Sequence, residues 1–332
     1  MAKIDPYSLE KLLTEILIKH NTSESNAACV ARALVNADID GLHSHGAARM
    51  YAYAKQAANG KVDGHASPEL THAASSVFCV DAAGGFAYPA IELGLSAAAE
   101  AVRMTGIAAV SIGQSHHSGA IGQFIEPLAR DGLIVLAFSN ATAAIAPASG
   151  IKPLFGTNPI AFTTPRQNNS PLLIDLSLSK VARGKVKLAA DAGKPIPEGW
   201  AIDCDGKPTT DASRALDGAL NPIGDSKGAA LALMLELLCA GLSGSNFAYQ
   251  AGSFFTEDGV QPRIGQLFIL IDPSYFNPRF VQHAQLLFEE ILNQDGTRLP
   301  GEQRYLRRDQ SLREGINLDP TIMSQLQALA KI

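Results

Sequence analysis

The segment Ser44-His45-Gly46, with Arg49 four residues after His45, combines a proton donor with an anion ligand. A histidine exchanges protons near neutral pH, and an arginine presents two parallel N–H groups that match a carboxylate. If a helix begins at Ala47, His45 lies at its start and Arg49 one turn further along the same side. The pattern predicts a site that binds a small carboxylate and moves a proton. The alternative is a structural role for each residue: the serine caps a helix, the histidine is hydrogen-bonded within the fold, and the arginine is solvated.

A second polar segment, residues 115–120, follows an apolar run that ends at Ile112 and precedes a predicted helix. Backbone N–H groups at the start of a helix favour phosphate, and the serine and histidine side chains add donors. A capping turn is the alternative. Neighbouring His116 and His117 would face opposite ways, so no metal site is predicted. Residues 154–159 contain Gly, Asn and Pro and predict a tight turn.

Three further polar segments could meet an anion. Residues 175–177 end an apolar strand with groups suited to a ribose or a phosphate. Lys227 begins the most apolar helix of the chain, where a cation opposes the helix dipole, which indicates a bound anion unless the lysine is simply exposed. Residues 299–308 carry three arginines after a Pro-Gly turn and could bind a phosphate or form a solvated face.

Several common catalytic motifs are absent from the sequence. The 29 glycines include no G-x-G pair, so the Rossmann dinucleotide fingerprint is missing. The P-loop, H-E-x-x-H and C-x-x-C are missing as well. These absences exclude simple assignments to classical dehydrogenases, kinases and zinc peptidases.

The elements that must position these residues alternate between helices and short strands. The apolar pattern predicts helices at about 8–19, 23–40, 47–59, 90–104, 121–130, 226–242, 277–292 and 321–331. It predicts strands at 76–80, 106–112, 133–138, 160–164, 172–176 and 266–271. The polar segment 189–222 is expected to be a surface excursion or lid. This order predicts an α/β fold with a helical N-terminal layer.

Composition limits the partners. A hydrophobic share of 46% against 18% charged residues indicates a globular chain, and 332 residues suffice for about two domains. The net charge of −5 argues against nucleic acid as a partner. No apolar run is long enough to span a membrane, and the N-terminus lacks the apolar core of a signal peptide. Four widely spaced cysteines are typical of reduced core thiols in a cytoplasmic protein.

Taken in order, these segments resemble the type-2 malate/L-lactate dehydrogenase family. The most specific parts are S-H-G-x-x-R at 44–49 and F-G-T-N-P at 155–159, and the likeness extends over residues 8–317. The resemblance implies NAD(P)H bound on a non-Rossmann α/β fold. It also implies a helical part at 1–70 that carries the catalytic motif and is rejoined by 310–332, with a cofactor- and substrate-binding domain at 71–309.

The resemblance assigns roles residue by residue. It implies catalytic Ser44 and His45, and substrate-binding Arg49 and Thr157. The cofactor-binding residues that it implies are His117, Ser118, Gly119, Ala120, Ile121, Asp175, Leu176, Ser177, Ser226, Lys227, Gly301, Glu302, Arg304 and Arg307.

Within the family, the chain looks most like the Δ1-piperideine-2-carboxylate/Δ1-pyrroline-2-carboxylate reductases, which reduce cyclic ketimines to L-pipecolate and L-proline. The expectation is therefore a cytoplasmic, homodimeric ketimine reductase. NADPH is expected over NADH because Arg304, Arg307 and Lys227 would suit a 2′-phosphate. Lys185 stands where these reductases can carry an acid, and it could hold a second carboxylate. A malate/L-lactate-type 2-hydroxy acid dehydrogenase and a non-catalytic ligand-binding protein are the two alternatives.

Overall fold

The computed structural model describes residues 2–331, which form eleven α-helices and twelve strands. The helices are α1 Pro6–Lys19, α2 Glu24–Ile39, α3 Met50–Ala58, α4 Ala87–Thr105, α5 Gly122–Arg130, α6 Arg183–Asp191, α7 Ala212–Asp217, α8 Ser226–Leu235, α9 Phe280–Leu292, α10 Glu302–Glu314 and α11 Pro320–Lys331. The strands are β1 Ala2–Ile4, β2 Glu69–Ala74, β3 Val77–Asp81, β4 Ile107–Ser115, β5 Ile134–Ser139, β6 Ile160–Thr164, β7 Leu172–Leu176, β8 Ala201–Ile202, β9 Pro208–Thr209, β10 Ala219–Leu220, β11 Ile264–Ile271 and β12 Ile316–Leu318. No helix within these residues is long and apolar enough to cross a membrane.

The centre of the molecule is a seven-stranded sheet in the order β2-β3-β4-β11-β5-β6-β7. Only β3 and β4 pair in parallel, and the other five neighbouring pairs are antiparallel. The central strand β11 is covered on both faces, and apart from Gln266 it has no polar side chain. Phe268 and Leu270 pack with α4 and α5, whereas Leu267 and Ile269 face the cluster that contains α8. The mixed α/β architecture agrees with the prediction.

A helical layer lies beside the sheet and contains both ends of the described chain. Helices α1, α2 and α3 share one apolar core with β12 and α11. Asp5 begins α1 by accepting a hydrogen bond from the Ser8 N–H at 2.8 Å, and Ser23 caps α2 as expected. Strands β1 and β12 pair antiparallel, which holds the two termini together.

The structure corrects several predictions. The helix predicted at 226–242 is α8 followed by a π-helical segment, Glu236–Gly241. The segment 189–222, predicted to be a surface excursion or lid, contains β8, β9, β10 and α7. Together with α6, these elements form a small unit that has a core of its own. The residues after Pro300 form helix α10. Cys29 and Cys239 are buried as expected, but Cys79 and Cys204 are exposed.

Candidate active site

The S-H-G-x-x-R motif forms two 3-10 turns, His43–His45 and Ala47–Arg49, between α2 and α3. The buried carboxylate of Asp38 fixes them, accepting hydrogen bonds from the Ala47 N–H at 2.6 Å and from His43 Nδ1 at 2.9 Å. A Cβ added at Gly46 would lie 2.2 Å from Cγ of Asp38, so glycine is required for this approach. The α-helix begins at Met50 rather than at the predicted Ala47.

These turns bring Ser44, His45 and Arg49 together. Ser44 Oγ lies 3.0 Å from His45 Nδ1, and Arg49 Nε donates to the Ser44 carbonyl at 2.8 Å. The Arg49 guanidinium carbon lies 4.9 Å from the centre of the Phe255 ring. Within residues 2–331 the terminal nitrogens of Arg49 form no hydrogen bond, so its planar fork is free to bind a carboxylate.

The imidazole of His45 lies in an aromatic cluster with His117. The two rings stack with centres 5.8 Å apart, and His117 Nδ1 is 2.7 Å from the hydroxyl of Tyr53. Burial lowers the pKa of His45 to about 4, and the nearby cations Arg49 and Arg304 add to the effect. Burial also lowers the pKa of His117 well below its usual range. Both rings are therefore neutral at pH 7.

His116 takes part in a buried network that the sequence did not reveal, and its ring contacts Tyr53 and Phe254, as the ring of His117 also does. Its Nε2 donates to the Gln56 side-chain carbonyl at 2.9 Å, while the Gln56 amide nitrogen donates to the Phe254 and Thr256 carbonyls. Lys61 Nζ donates to the same Thr256 carbonyl, to the Thr256 hydroxyl and to the carbonyls of Ser253 and Asp258. This network holds Phe254 and Phe255 against His117 and Arg49.

The loop before α5 fits the phosphate of a dinucleotide. None of the hydrogen bonds among the described residues uses a backbone N–H of residues 117–121 as donor, although residues 118–121 are buried. Gly119 adopts a left-handed conformation (φ 63°) that directs the chain into the helix. Free N–H groups at the start of a helix favour an anion.

Arg304 borders the same loop. Its Nη2 donates to Asp175 Oδ2 at 2.9 Å, and the Gly122 N–H donates to the same oxygen at 3.2 Å. Nη1 of Arg304 is buried without a hydrogen-bond partner, so it can donate to an oxygen of a bound ligand. Phosphate groups thus fit the loop and Arg304 together.

The three basic side chains predicted to suit a 2′-phosphate have different surroundings. Arg304 is paired with Asp175, and Arg307 is exposed beside Gly41. Lys227 is exposed at the start of α8. Arg308, outside the predicted set, binds Asp40, whose carboxylate also lies 4.0 Å from Arg304 Nε. The cofactor role of the three side chains stays a prediction.

The other predicted residues lie around the loop or at element ends. The Thr157 carbonyl accepts from the Leu178 N–H at 2.7 Å, and Ser177 Oγ lies 3.1 Å from Ser179 Oγ. Leu176 is exposed at the end of β7, and Ser226 is exposed at the start of α8. Gly301 begins α10.

Glu302 has a structural position, and its predicted cofactor contact stays a prediction. Its carboxylate accepts from the Leu299 N–H at 3.2 Å and lies 3.5 Å from Arg166 Nη1. It therefore closes the first turn of α10.

Glu236, at the start of the π-helical segment, organises the F-G-T-N-P turn. This buried carboxylate accepts from the Gly156 and Ala248 N–H groups and from Asn158 Nδ2. Asn140 Nδ2 is a fourth donor at 3.4 Å, and all four donors are neutral. The turn that carries Thr157 is therefore fixed by a residue about 80 positions further along the chain, which local sequence patterns could not indicate.

A cavity of about 330 Å³ adjoins the cluster through Phe255, which contacts Arg49 and also lines the cavity. Its two charged residues, Arg183 and Lys187, lie four positions apart in α6. Lys185, which the sequence suggested as a ligand of a second carboxylate, is exposed and does not line this cavity. Within residues 2–331, no three His, Cys, Asp or Glu side chains form a group that could hold a metal ion.

The site thus brings together a half-buried, neutral histidine, an arginine with free terminal nitrogens and a loop with free N–H groups, and comparison with known proteins defines the class. Residues 4–327 match the model of the malate/L-lactate dehydrogenase family, and the chain belongs to that family. The alternative of a non-catalytic ligand-binding protein is therefore set aside, because the relatives are dehydrogenases and reductases.

Three relatives are closely similar. The chain is 51% identical to the (2R)-3-sulfolactate dehydrogenase (NADP(+)) of Chromohalobacter salexigens, over 92% of this chain and 91% of that one. It is 40% identical to a Δ1-pyrroline-2-carboxylate/Δ1-piperideine-2-carboxylate reductase of Pseudomonas putida, over 97% and 95%. The crystal structure of Δ1-piperideine-2-carboxylate reductase from Pseudomonas syringae superposes with a TM-score of 0.93 at 38% identity, covering 99% of this chain and all of that one.

Proposed function

We propose that this protein is an NADP(H)-dependent oxidoreductase that interconverts 2-hydroxy and 2-oxo carboxylates. The observation that carries the proposal is the neutral His45, whose pKa is lowered to about 4, beside the free fork of Arg49. A neutral imidazole accepts the proton that leaves a hydroxyl during oxidation. The relative at 51% identity, a sulfolactate dehydrogenase, supports a 2-hydroxy acid as substrate.

The chain's own residues then have defined roles. Arg49 binds the carboxylate next to the reacting carbon and orients it. With Nδ1–H of His45 donated to Ser44 Oγ, Nε2 carries the lone pair that takes the hydroxyl proton. In the reverse direction Nε2, once protonated, returns that proton to the oxygen as it gains negative charge. A bound nicotinamide would supply or accept the hydride at C2 of the substrate.

The cofactor assignment rests on the loop and on Arg304. The free N–H groups of residues 117–121 and the unpaired Nη1 of Arg304 would hold phosphate groups. Preference for NADP(H) over NAD(H) is supported by the named cofactor of the 51% relative and by the exposed Arg307 and Lys227. Asp175, Leu176, Ser177 and Thr157 stay proposed contacts of cofactor and substrate.

Reduction of cyclic ketimines to L-proline or L-pipecolate is the second candidate. It is supported by the Pseudomonas reductases and by the superposition with one of them. The same Arg49 would hold the ketimine carboxylate, and a ketimine that is already protonated needs no proton from His45. The 2-hydroxy acid ranks first because its oxidation uses the neutral His45 directly.

We also propose a cytoplasmic homodimer. The side chains of Leu233, Met234 and Leu237 are 40% to 56% exposed on α8 and the π-helical segment. Apolar side chains grouped on one exposed face indicate an interface, and a second copy of this chain is the proposed partner.

A substrate panel tests the proposed function. The purified protein is assayed with NADP+ and NAD+ on lactate, malate and 3-sulfolactate, and with NADPH and NADH on both cyclic ketimines. We expect a higher kcat/KM with a 2-hydroxy acid and NADP+ than with either ketimine. Faster ketimine reduction at equal cofactor saturation would favour the second candidate, and equal efficiency with NAD+ would contradict the cofactor assignment.

A further inference from the structure

The cavity beside Phe255 is cationic and bordered by apolar groups. Among its lining residues only Arg183 and Lys187 are charged, and no Asp or Glu side chain lines it. The remaining lining residues are Thr142, Ala143, Leu216, Ala248, Tyr249, Ala251, Ser253 and Phe255. Residues four apart in a helix lie on one side of it, so α6 directs both cations to the same space.

Arg183 has no counter-ion in contact. Its terminal nitrogens donate to the carbonyls of Ala143 at 3.4 Å and of Leu216 at 3.1 Å, and no carboxylate within the described chain forms an ion pair with it. Burial lowers its pKa, an effect that Asp217 partly offsets. A guanidinium has five N–H donors, so capacity for an anion remains. A partly buried charge without a partner is stabilised when an anion binds.

Lys187 supplies a second, adjustable cation. It is exposed and paired with Asp191 at 2.9 Å, an exposed ion pair of the kind that contributes little and exchanges readily. Lys185 offers an internal comparison, because it lies in the same helix, is also exposed, and does not line the cavity.

The cavity and the candidate active site share a wall. Phe255 lines the cavity and also lies under the Arg49 guanidinium at 4.9 Å. Arg49 thus lies against the Phe255 ring, and Arg183 and Lys187 line the cavity that Phe255 also lines. A small molecule with two anionic groups could contact Arg49 with one group and Arg183 and Lys187 with the other.

We infer that Arg183 and Lys187 bind the second anionic group, a sulfonate or a carboxylate, of a dianionic 2-hydroxy acid whose first carboxylate is bound by Arg49. The inference rests on the proposed function and specifies its substrate class. A sulfonate has three oxygens, which allows contact with both cations at once.

Charge removal at Lys187 tests the inference. Lys187→Met and the matched control Lys185→Met are compared with the wild type on 3-sulfolactate, malate and lactate, with KM for NADP+ measured in parallel. Lys187→Met should raise KM for the two dianions about tenfold and leave KM for lactate within twofold, because only the dianions use the second contact. Lys185→Met should match the wild type.

Each outcome has one meaning. Equal effects on lactate and the dianions, or equal effects of the two substitutions, would overturn the inference while 2-hydroxy acid oxidation stands. A selective rise of KM for NADP+ would assign the cavity to the cofactor 2′-phosphate instead. If no 2-hydroxy acid is oxidised, the proposed function fails. Calorimetric binding of 3-sulfolactate then decides whether Arg183 and Lys187 form an anion site. Binding lost in Lys187→Met supports the site, and no binding by the wild type overturns it.

Discussion

The buried His116 makes the stability of this fold dependent on pH. Its side chain is 1% exposed, and Nε2 must carry the proton because its partner is the Gln56 carbonyl oxygen. Nδ1 is buried with no hydrogen-bond partner. A second proton would therefore create a buried cation with an unpaired N–H. Burial, reinforced by the charges of Lys61 and Arg49, lowers the pKa of His116 to about 3.

The sign and size of the effect follow from proton linkage. An unfolded histidine has a pKa of about 6.5, so below that pH the unfolded chain binds a proton that the folded protein excludes. The free energy of unfolding therefore decreases as the pH is lowered from about 6.5 to about 3. Each pH unit in this range costs about 1.4 kcal/mol, so at pH 5 His116 alone removes about 2 kcal/mol.

Urea unfolding at pH 7.5 and pH 5.0 measures this contribution. His116→Gln keeps a donor for Gln56 but cannot titrate, so its loss of stability between the two pH values should be about 2 kcal/mol smaller than that of the wild type. The exposed His283 supplies the control, since His283→Gln should lose as much as the wild type. An equal loss in the His116 variant would refute the reasoning.

Three further perturbations address the candidate site and its support. Replacing His45 by alanine should lower kcat about 100-fold or more while NADPH binding, followed by fluorescence, is retained; a loss of only a few-fold would remove His45 from the mechanism. Arg49→Lys keeps the charge but not the fork, so it should raise KM and lower kcat for every carboxylate substrate, whereas weakened NADPH binding alone would make Arg49 a cofactor ligand. Arg308 donates to the buried carboxylates of Asp40 and Glu126, so Arg308→Ala should cost about 3–5 kcal/mol in urea unfolding, and a cost below about 1 kcal/mol would contradict the ion-pair network.

The sequence predicted elements well where local signals agree. Strands β6 and β7 have the predicted bounds because short apolar runs there are delimited by turn residues. Ser23 caps α2 as its type and position indicated. The order of the polar motifs was enough to identify the family, because each motif lies within a few consecutive residues.

Prediction failed where distant residues determine the structure. Helix α10 has no buried residues and no apolar stripe, and it is held instead by pairs such as Arg304 with Asp175, 129 positions apart. The π-helical segment begins at Glu236, whose donors lie in other parts of the chain. The cationic cavity depends on a nine-residue helix, α6, in a polar stretch where periodicity is weak. In each case the decisive contact is tertiary.

The position of β11 has a consequence for how the protein folds. This strand pairs with β4 on one side and β5 on the other, yet it follows β5 by more than 120 residues in the chain. Until residues 264–271 have been synthesised, β2-β3-β4 and β5-β6-β7 can form only two separate half-sheets, each with an open edge. Such contacts are far apart in sequence, which slows folding and prolongs the exposure of edges that can pair with other chains. The nascent chain therefore depends on its last quarter to close its own sheet, and it is most prone to aggregation just before that strand arrives.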